Sequence, residues 1–303
     1  MQSTKPKLPS EAVQLYNLFI HGEISRRDFM EGVQRFAIGG LAATTIIEAL
    51  MPNYALGQQV SRTDDRIKAT YETVESPQGN GSIKGYLARP LSADTRSATS
   101  AKLPGIIVIH ENRGLNPHIE DIARRLALAN FMAFAPDGLT SLGGFPGDDY
   151  NGGLLFNKID GAKLTEDFVA SAMWLKSRTD CTGKIGVTGF CYGGNIANTL
   201  AVRLAGDLAA AVPFYGAVPA MEDIPKISAA ILVHHGELDT RLASTWPAYQ
   251  AALTALNVPN DGYIYSGSVH GFNCDATPER YSKTAADLAW QRTVDWFNKY
   301  VRV

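Results

Sequence analysis

Cysteine is scarce in this chain: three among 303 residues, Cys181, Cys191 and Cys274. Three scattered thiols supply neither a disulfide framework nor the paired spacing of a zinc ribbon. Long apolar runs are missing too. The longest, 36–47, has 12 residues, against the roughly 20 that a bilayer-spanning helix needs, which argues against an integral membrane protein. Neither sign of charge is in excess. Lys plus Arg is 28 and Asp plus Glu is 30, a net charge of −2, without the positive surplus of a nucleic-acid binder. What is present is an ordinary globular mixture, 45% hydrophobic and 19% charged, with enough length for a sizeable core.

Residues 1–57 form a segment of their own, with five positive charges and five negative ones. Its centre, Ser25-Arg26-Arg27-Asp28-Phe29-Met30, precedes a Gly/Ala/Thr-rich apolar stretch and the small-x-small triplet Ala55-Leu56-Gly57. That order resembles a twin-arginine export signal and predicts a periplasmic or secreted protein cleaved near Gln58. A second reading takes Ser25-x-x-Asp28 as a helix start, with Phe29, Val33, Phe36, Gly40 and Leu41 on one face. In that reading a cytoplasmic protein keeps the segment as a helical arm packed on the body or on a second copy, so a homodimer is allowed.

From about residue 60 strands and helices alternate. The pattern predicts a hairpin of 69–75 and 82–89, then strands at 105–110, 131–135, 184–190, 209–215, 229–235 and 262–265. Helices are predicted at 117–130, 164–178, 194–204, 244–256 and 284–300, while 137–160 reads as an excursion without regular structure. Such alternation implies one α/β domain, residues 60–303, whose mostly parallel sheet is covered on both faces. Working residues then gather at the carboxyl ends of the strands.

One such end carries Gly189-Phe190-Cys191-Tyr192-Gly193-Gly194. Small residues on both sides of Cys191 allow a sharp strand-to-helix turn that lifts a nucleophile above the sheet. A helix N-terminus also favours the reactive thiolate. A base and a group to orient it are needed next. Asp239 and His270 follow later strands in the order nucleophile, acid, base. Glu237 competes with Asp239, and His234 and His235 compete with His270, although their strand position suits satisfied core histidines. Cys181 reads as a loop residue. Cys274, four positions after His270, borders the expected pocket. Arg113 either overhangs the pocket mouth or pairs with Glu120 or Asp121.

Gly-Phe-Cys-Tyr-Gly-Gly at 189–194, Leu238-Asp239 and Val269-His270-Gly271-Phe272 resemble the dienelactone hydrolase (carboxymethylenebutenolidase-like) family. This is a branch of the α/β-hydrolases that uses cysteine in place of serine. The resemblance covers residues 66–303. It implies an α/β-hydrolase fold, a Cys191-His270-Asp239 triad and an oxyanion hole from the backbone N–H groups of Tyr192 and Asn112. It also implies that Glu111 interacts with the resting thiol and helps generate the thiolate. Members that act on the lactone carboxylate carry two arginines, one of them four residues after the histidine. Here that position is Cys274, and 137–160 contains no arginine, so the resemblance carries the machinery further than it carries dienelactone as substrate.

The expectation is therefore a hydrolase of small carboxylic esters or lactones acting through an acyl-thioester. No metal or organic cofactor and no nucleic-acid partner is implied. The rival is a non-hydrolytic binding or redox-sensing protein that uses Cys191 as an oxidisable thiol.

Overall fold

The computed structural model describes residues 8–20, 23–37, 43–54, 57–91 and 102–302. It opens with three helices, α1 (Ser10–Ile20), α2 (Arg26–Gln34) and α3 (Ala43–Leu50). Helix α2 starts at a reciprocal capping box. The Ser25 hydroxyl accepts the Asp28 N–H at 3.2 Å, and the Asp28 carboxylate accepts the Ser25 N–H at 3.1 Å. The three helices share a small core of their own around Ala12, Tyr16, Phe29, Val33, Ile46 and Leu50. Phe29 and Val33 are thus buried, as the helical reading expects, whereas Gly40, Leu41, Ala55 and Leu56 lie outside the described residues.

The body is built on β1 (Ile67–Ser76), β2 (Gly81–Pro90), β3 (Leu103–Ile109), β4 (Met132–Pro136), β5 (Cys181–Phe190), β6 (Ala210–Phe214), β7 (Ala230–Gly236) and β8 (Asn260–Tyr265). They form one sheet in the order β1-β2-β4-β3-β5-β6-β7-β8. Strand β2 runs antiparallel to β1 and β4, and every other pairing is parallel. Its helices are α4 (Pro117–Leu128), α5 (Asp149–Phe156), α6 (Gly161–Ser177), α7 (Tyr192–Leu204), α8 (Thr240–Ala243), α9 (Trp246–Ala255) and α10 (Lys283–Tyr300).

Strand β3 shows why both faces are covered. Ile107 and Ile109 enter the core under α6, α7 and α9, while Ile106 and Val108 enter the core under α4 and α10. All four are fully buried, which explains an uninterrupted apolar run where an exposed sheet would alternate.

Two expectations need correction. The excursion 137–160 holds α5, capped by the Asp148 carboxylate on the Asn151 N–H at 2.9 Å. Cys181 is the first residue of β5 and buried, not in a loop.

The chain joining arm to body is stitched down. Asn53 N–H donates to the Ala276 carbonyl at 2.6 Å. The N–H groups of Gln59 and Val60 donate to the buried Asp121 carboxylate at 3.1 and 2.8 Å. Gly57 runs so close to Ala276 that a Cβ there would lie 2.6 Å from its nitrogen.

Candidate active site

The carboxyl ends of β3, β5, β7 and β8 converge under the arm. After β5 the chain turns at Cys191 with φ 55° and ψ −113°. A non-glycine residue with positive φ is strained and is held there only by its surroundings. The turn works because the residues two positions to either side, Gly189 and Gly193, have no side chain. A Cβ on Gly189 would fall 2.0 Å from the Gly193 carbonyl oxygen, and one on Gly193 would fall 2.3 Å from that of Ile109. The Cys191 N–H is tied to the Phe214 carbonyl at 3.1 Å, and Tyr192 begins α7.

Three sequence-predicted residues meet here. His270 Nδ1 lies 2.6 Å from Asp239 Oδ2, and the imidazole and the Cys191 thiol act on each other electrostatically. Burial alone would lower the His270 pKa. The charge on Cys191 and the bond from Asp239 outweigh burial and push it up to about 10. Burial likewise works to raise Asp239, but the His270 hydrogen bond and charge hold it below the usual carboxylate value. Thiol, imidazole and carboxylate therefore stand in that order at the sheet edge. Tyr215, buried and itself at φ 39°, walls the imidazole at 4.9 Å between ring centroids.

Glu111 follows β3. The buried His110 before it is held at both ring nitrogens, Nδ1 lying 2.5 Å from the Glu111 carbonyl oxygen and Nε2 accepting the Gly138 N–H at 2.8 Å. The Glu111 charge is felt by Tyr215, Cys274 and Arg280, so it sits in the same cluster as the triad. Cys274 is buried, and burial together with Glu111 drives its pKa up to about 12. It borders the site as a protonated thiol.

Arg113 does not pair with Glu120 or Asp121. Glu120 is engaged by Arg62 at 2.7 Å, and Asp121 by Arg124 and Arg125. The Arg113 guanidinium instead donates to the Asn112 carbonyl at 3.0 Å, packs over Gly153 of α5 and acts on Asp149.

The competing residues fall elsewhere. His234 bonds Thr293 at 3.1 Å and the Tyr265 hydroxyl at 3.0 Å. Glu237 braces the next loop through Ser266 and the Gly267 N–H. His235 departs from the expected satisfied histidine: it is buried, and neither ring nitrogen has a hydrogen-bond partner among the described residues. Burial pulls its pKa down to about 4, so it stays neutral.

Sequence reasoning missed Arg280 and Tyr16. Arg280 is only 6% exposed, and its Nε has no hydrogen-bond partner among the described residues. Its guanidinium sits 5.4 Å from the Tyr16 ring centroid of α1, within range of a cation–π contact. It also crowds Gly271, where a Cβ would stand 2.8 Å from Nη1. Ten positions separate Arg280 from His270, with no local pattern to link them.

The dienelactone hydrolase family matches residues 83–301 of this chain, well over half of it. The chain belongs to that family. A candidate carboxymethylenebutenolidase of Escherichia coli O157:H7 is 30% identical over 256 residues, covering 80% of this chain and 90% of that protein. A candidate hydrolase fragment of E. coli strain K12 is 48% identical over 120 residues, 40% of this chain and 97% of its own length. Among solved structures, a candidate dienelactone hydrolase of Klebsiella pneumoniae superposes with a TM-score of 0.64 at 28% identity, over 77% of this chain and all of that one. The sheet and its helices are those of the α/β-hydrolases, and membership of the dienelactone hydrolase family makes this chain a hydrolase. The family match begins at residue 83, so the helices α1–α3 lie outside it. No helix of the described residues is long and apolar enough to cross a membrane.

Proposed function

We propose that this dienelactone hydrolase-family enzyme cleaves a carboxylic ester or lactone through an acyl-thioester on Cys191. The observation that carries the reading is the 2.6 Å His270–Asp239 pair, with Cys191 acting on the same imidazole, at the carboxyl edge of the sheet. The Cys191 thiolate attacks the carbonyl carbon, and the backbone N–H groups of Tyr192 and Asn112 receive the developing oxyanion. The C–O bond to the leaving alcohol breaks as His270 gives that oxygen its proton. Water then attacks the thioester and passes a proton to His270, and the C–S bond breaks to release the acid and the thiolate. Asp239 keeps the imidazole in the tautomer this requires. Glu111, whose charge reaches the same cluster, helps set the charge state of the resting site.

The test is turnover of p-nitrophenyl acetate before and after iodoacetamide. A burst followed by steady release, lost on alkylation of Cys191, is expected. A protein with neither burst nor turnover would be a redox-sensing or binding member of the fold.

The arm is proposed to be retained rather than cleaved near Gln58, because Asn53 and Gly57, ahead of that point, are fitted against Ala276 of the body. N-terminal sequencing of natively expressed protein decides it: a start near Gln58 means export with processing.

A further inference from the structure

Helix α1 lies across the site, and the spaces on its two sides differ in character. On one side a cavity of about 980 Å³ is lined by His270 and Asp239, by the charged Arg241, Glu279 and Arg280, and by Leu8, Val13 and Leu18. On the other, a cavity of about 320 Å³ is walled on the arm side by Tyr16, Phe19, Phe29, Met30, Ile47 and Met51. Its opposite wall includes Asn112, Arg113, Asp149 and Leu154, and Arg26 adds a second positive charge from the arm. A volume of this size, mostly apolar with a few polar groups at one end, has the form of a small-molecule site.

Two contacts join this apolar cavity to the reacting centre. Asn112 is both a wall residue and a neighbour of Glu111. Helix α5, which supplies Leu154, also carries Phe156, whose ring packs edge-on against Tyr192 at 4.7 Å. Tyr16 stands at the boundary, lining the cavity while contacting Arg280.

We propose that this cavity, half of it built by α1–α3, receives the apolar group of the substrate, a medium-length alkyl or aryl chain of an ester whose carbonyl lies at Cys191. This rests on the ester-hydrolysis reading and narrows its substrate class. Desolvating an alkyl chain against Phe and Met is favourable, whereas placing it among the charges beyond α1 would strip those groups of water. Met side chains adapt to chains of different shape. The arm is then a specificity element and not a dispensable leader.

The experiment has a catalytic and a non-catalytic arm, both on the full chain. p-Nitrophenyl acetate, butyrate and hexanoate are compared in wild type, Leu154→Trp and Leu256→Trp, the last at an exposed position in neither cavity. Leu154 is itself 46% exposed, so the larger ring can be accommodated without unfolding. The hexanoate-to-acetate ratio of kcat/KM should exceed tenfold in wild type and in Leu256→Trp, and fall towards one in Leu154→Trp. In parallel, calorimetry of Cys191→Ala with 2-butanone, 2-hexanone and 2-octanone reads the cavity without chemistry. Affinity should rise roughly three- to fourfold per methylene, and the rise should vanish when Leu154→Trp is added. A ketone series flat in chain length overturns the proposal whether or not esters are hydrolysed. A rising ketone series without ester turnover upholds the cavity and defeats the hydrolytic reading instead.

Discussion

His270 and Asp239 meet at 2.6 Å with side chains only 7% and 8% exposed, so water does not screen the bond between them. In such a setting a charge is stabilised by its immediate partners or not at all.

The first consequence is a titration. His270 should remain an imidazolium through neutral pH and lose its proton only as pH rises through about 10. Cys191→Ala removes the largest raising influence and leaves burial opposed by Asp239 alone, so the midpoint should fall. The His270 ring-proton shift followed by NMR reads it directly. A midpoint near 10 in the alanine variant would break the link between the two residues. Asp239 has the opposite sign. Its folded pKa is depressed, so its stabilisation is present above the ordinary carboxyl value, about 3.9, and is lost as pH falls through the folded value. Asp239→Asn should therefore flatten the acid limb of the stability profile.

Replacing the proposed nucleophile gives the second. Cys191→Ala should lose about 10³-fold or more in kcat. Cys191→Ser should keep a small remainder, because a hydroxyl must be deprotonated during attack. Wild-type rates in the alanine variant would end the mechanism.

Arg113 and Asp149 act on each other at the polar end of the apolar cavity. Arg113→Ala should weaken anionic substrates by the worth of a charged hydrogen bond, about 1.5–3 kcal/mol, or about 10- to 150-fold in kcat/KM. Asp149→Asn should move the same substrates the other way by unmasking the guanidinium. Equal losses on phenyl acetate and on an anionic lactone would mean a general defect.

Asp121 is fully buried and accepts from the linker N–H groups of Gln59 and Val60 while pairing with Arg124 and Arg125. Asp121→Ala leaves two linker N–H groups unpaired and Arg124 with only Glu120 at 4.0 Å as a counter-charge, while Arg125 keeps Asp275, and should cost about 3 kcal/mol in urea unfolding. A change below about 1 kcal/mol would show that the linker contacts carry no weight.

What the sequence announces here is local. The thiol turn is legible because its glycines sit beside Cys191 in the chain, and the sheet because buried β-branched runs such as 105–109 have few other uses. Helix α5 is not legible, since Asp149–Phe156 contains two adjacent glycines and no apolar stripe. Those glycines answer to a distant constraint. A Cβ at Gly152 would lie 2.4 Å from the Arg113 carbonyl oxygen, and one at Gly153 would lie 2.5 Å from its guanidinium. The capping box at Ser25 and Asp28 is readable for the same local reason, but which way Tyr16 points depends on where the arm docks. Arg280 reaches the cluster only through the folded path of 271–282.

The hydrogen bond from the Leu8 N–H to the Glu279 carboxylate joins residues 271 positions apart. On a ribosome adding about 5–20 residues per second, the arm emerges roughly 14–54 s before its docking partner exists. Through that interval α1 lacks its contacts with Glu279 and Arg280, while Tyr150, which Arg26 covers at 4.7 Å, has already emerged. His270 and Arg280 also arrive in the last stretch of synthesis, so the nascent chain carries a thiol turn with no base and a pocket with one wall. Docking of the first helix and completion of the reacting centre become a single late event, and a half-made chain has no hydrolytic chemistry to misdirect.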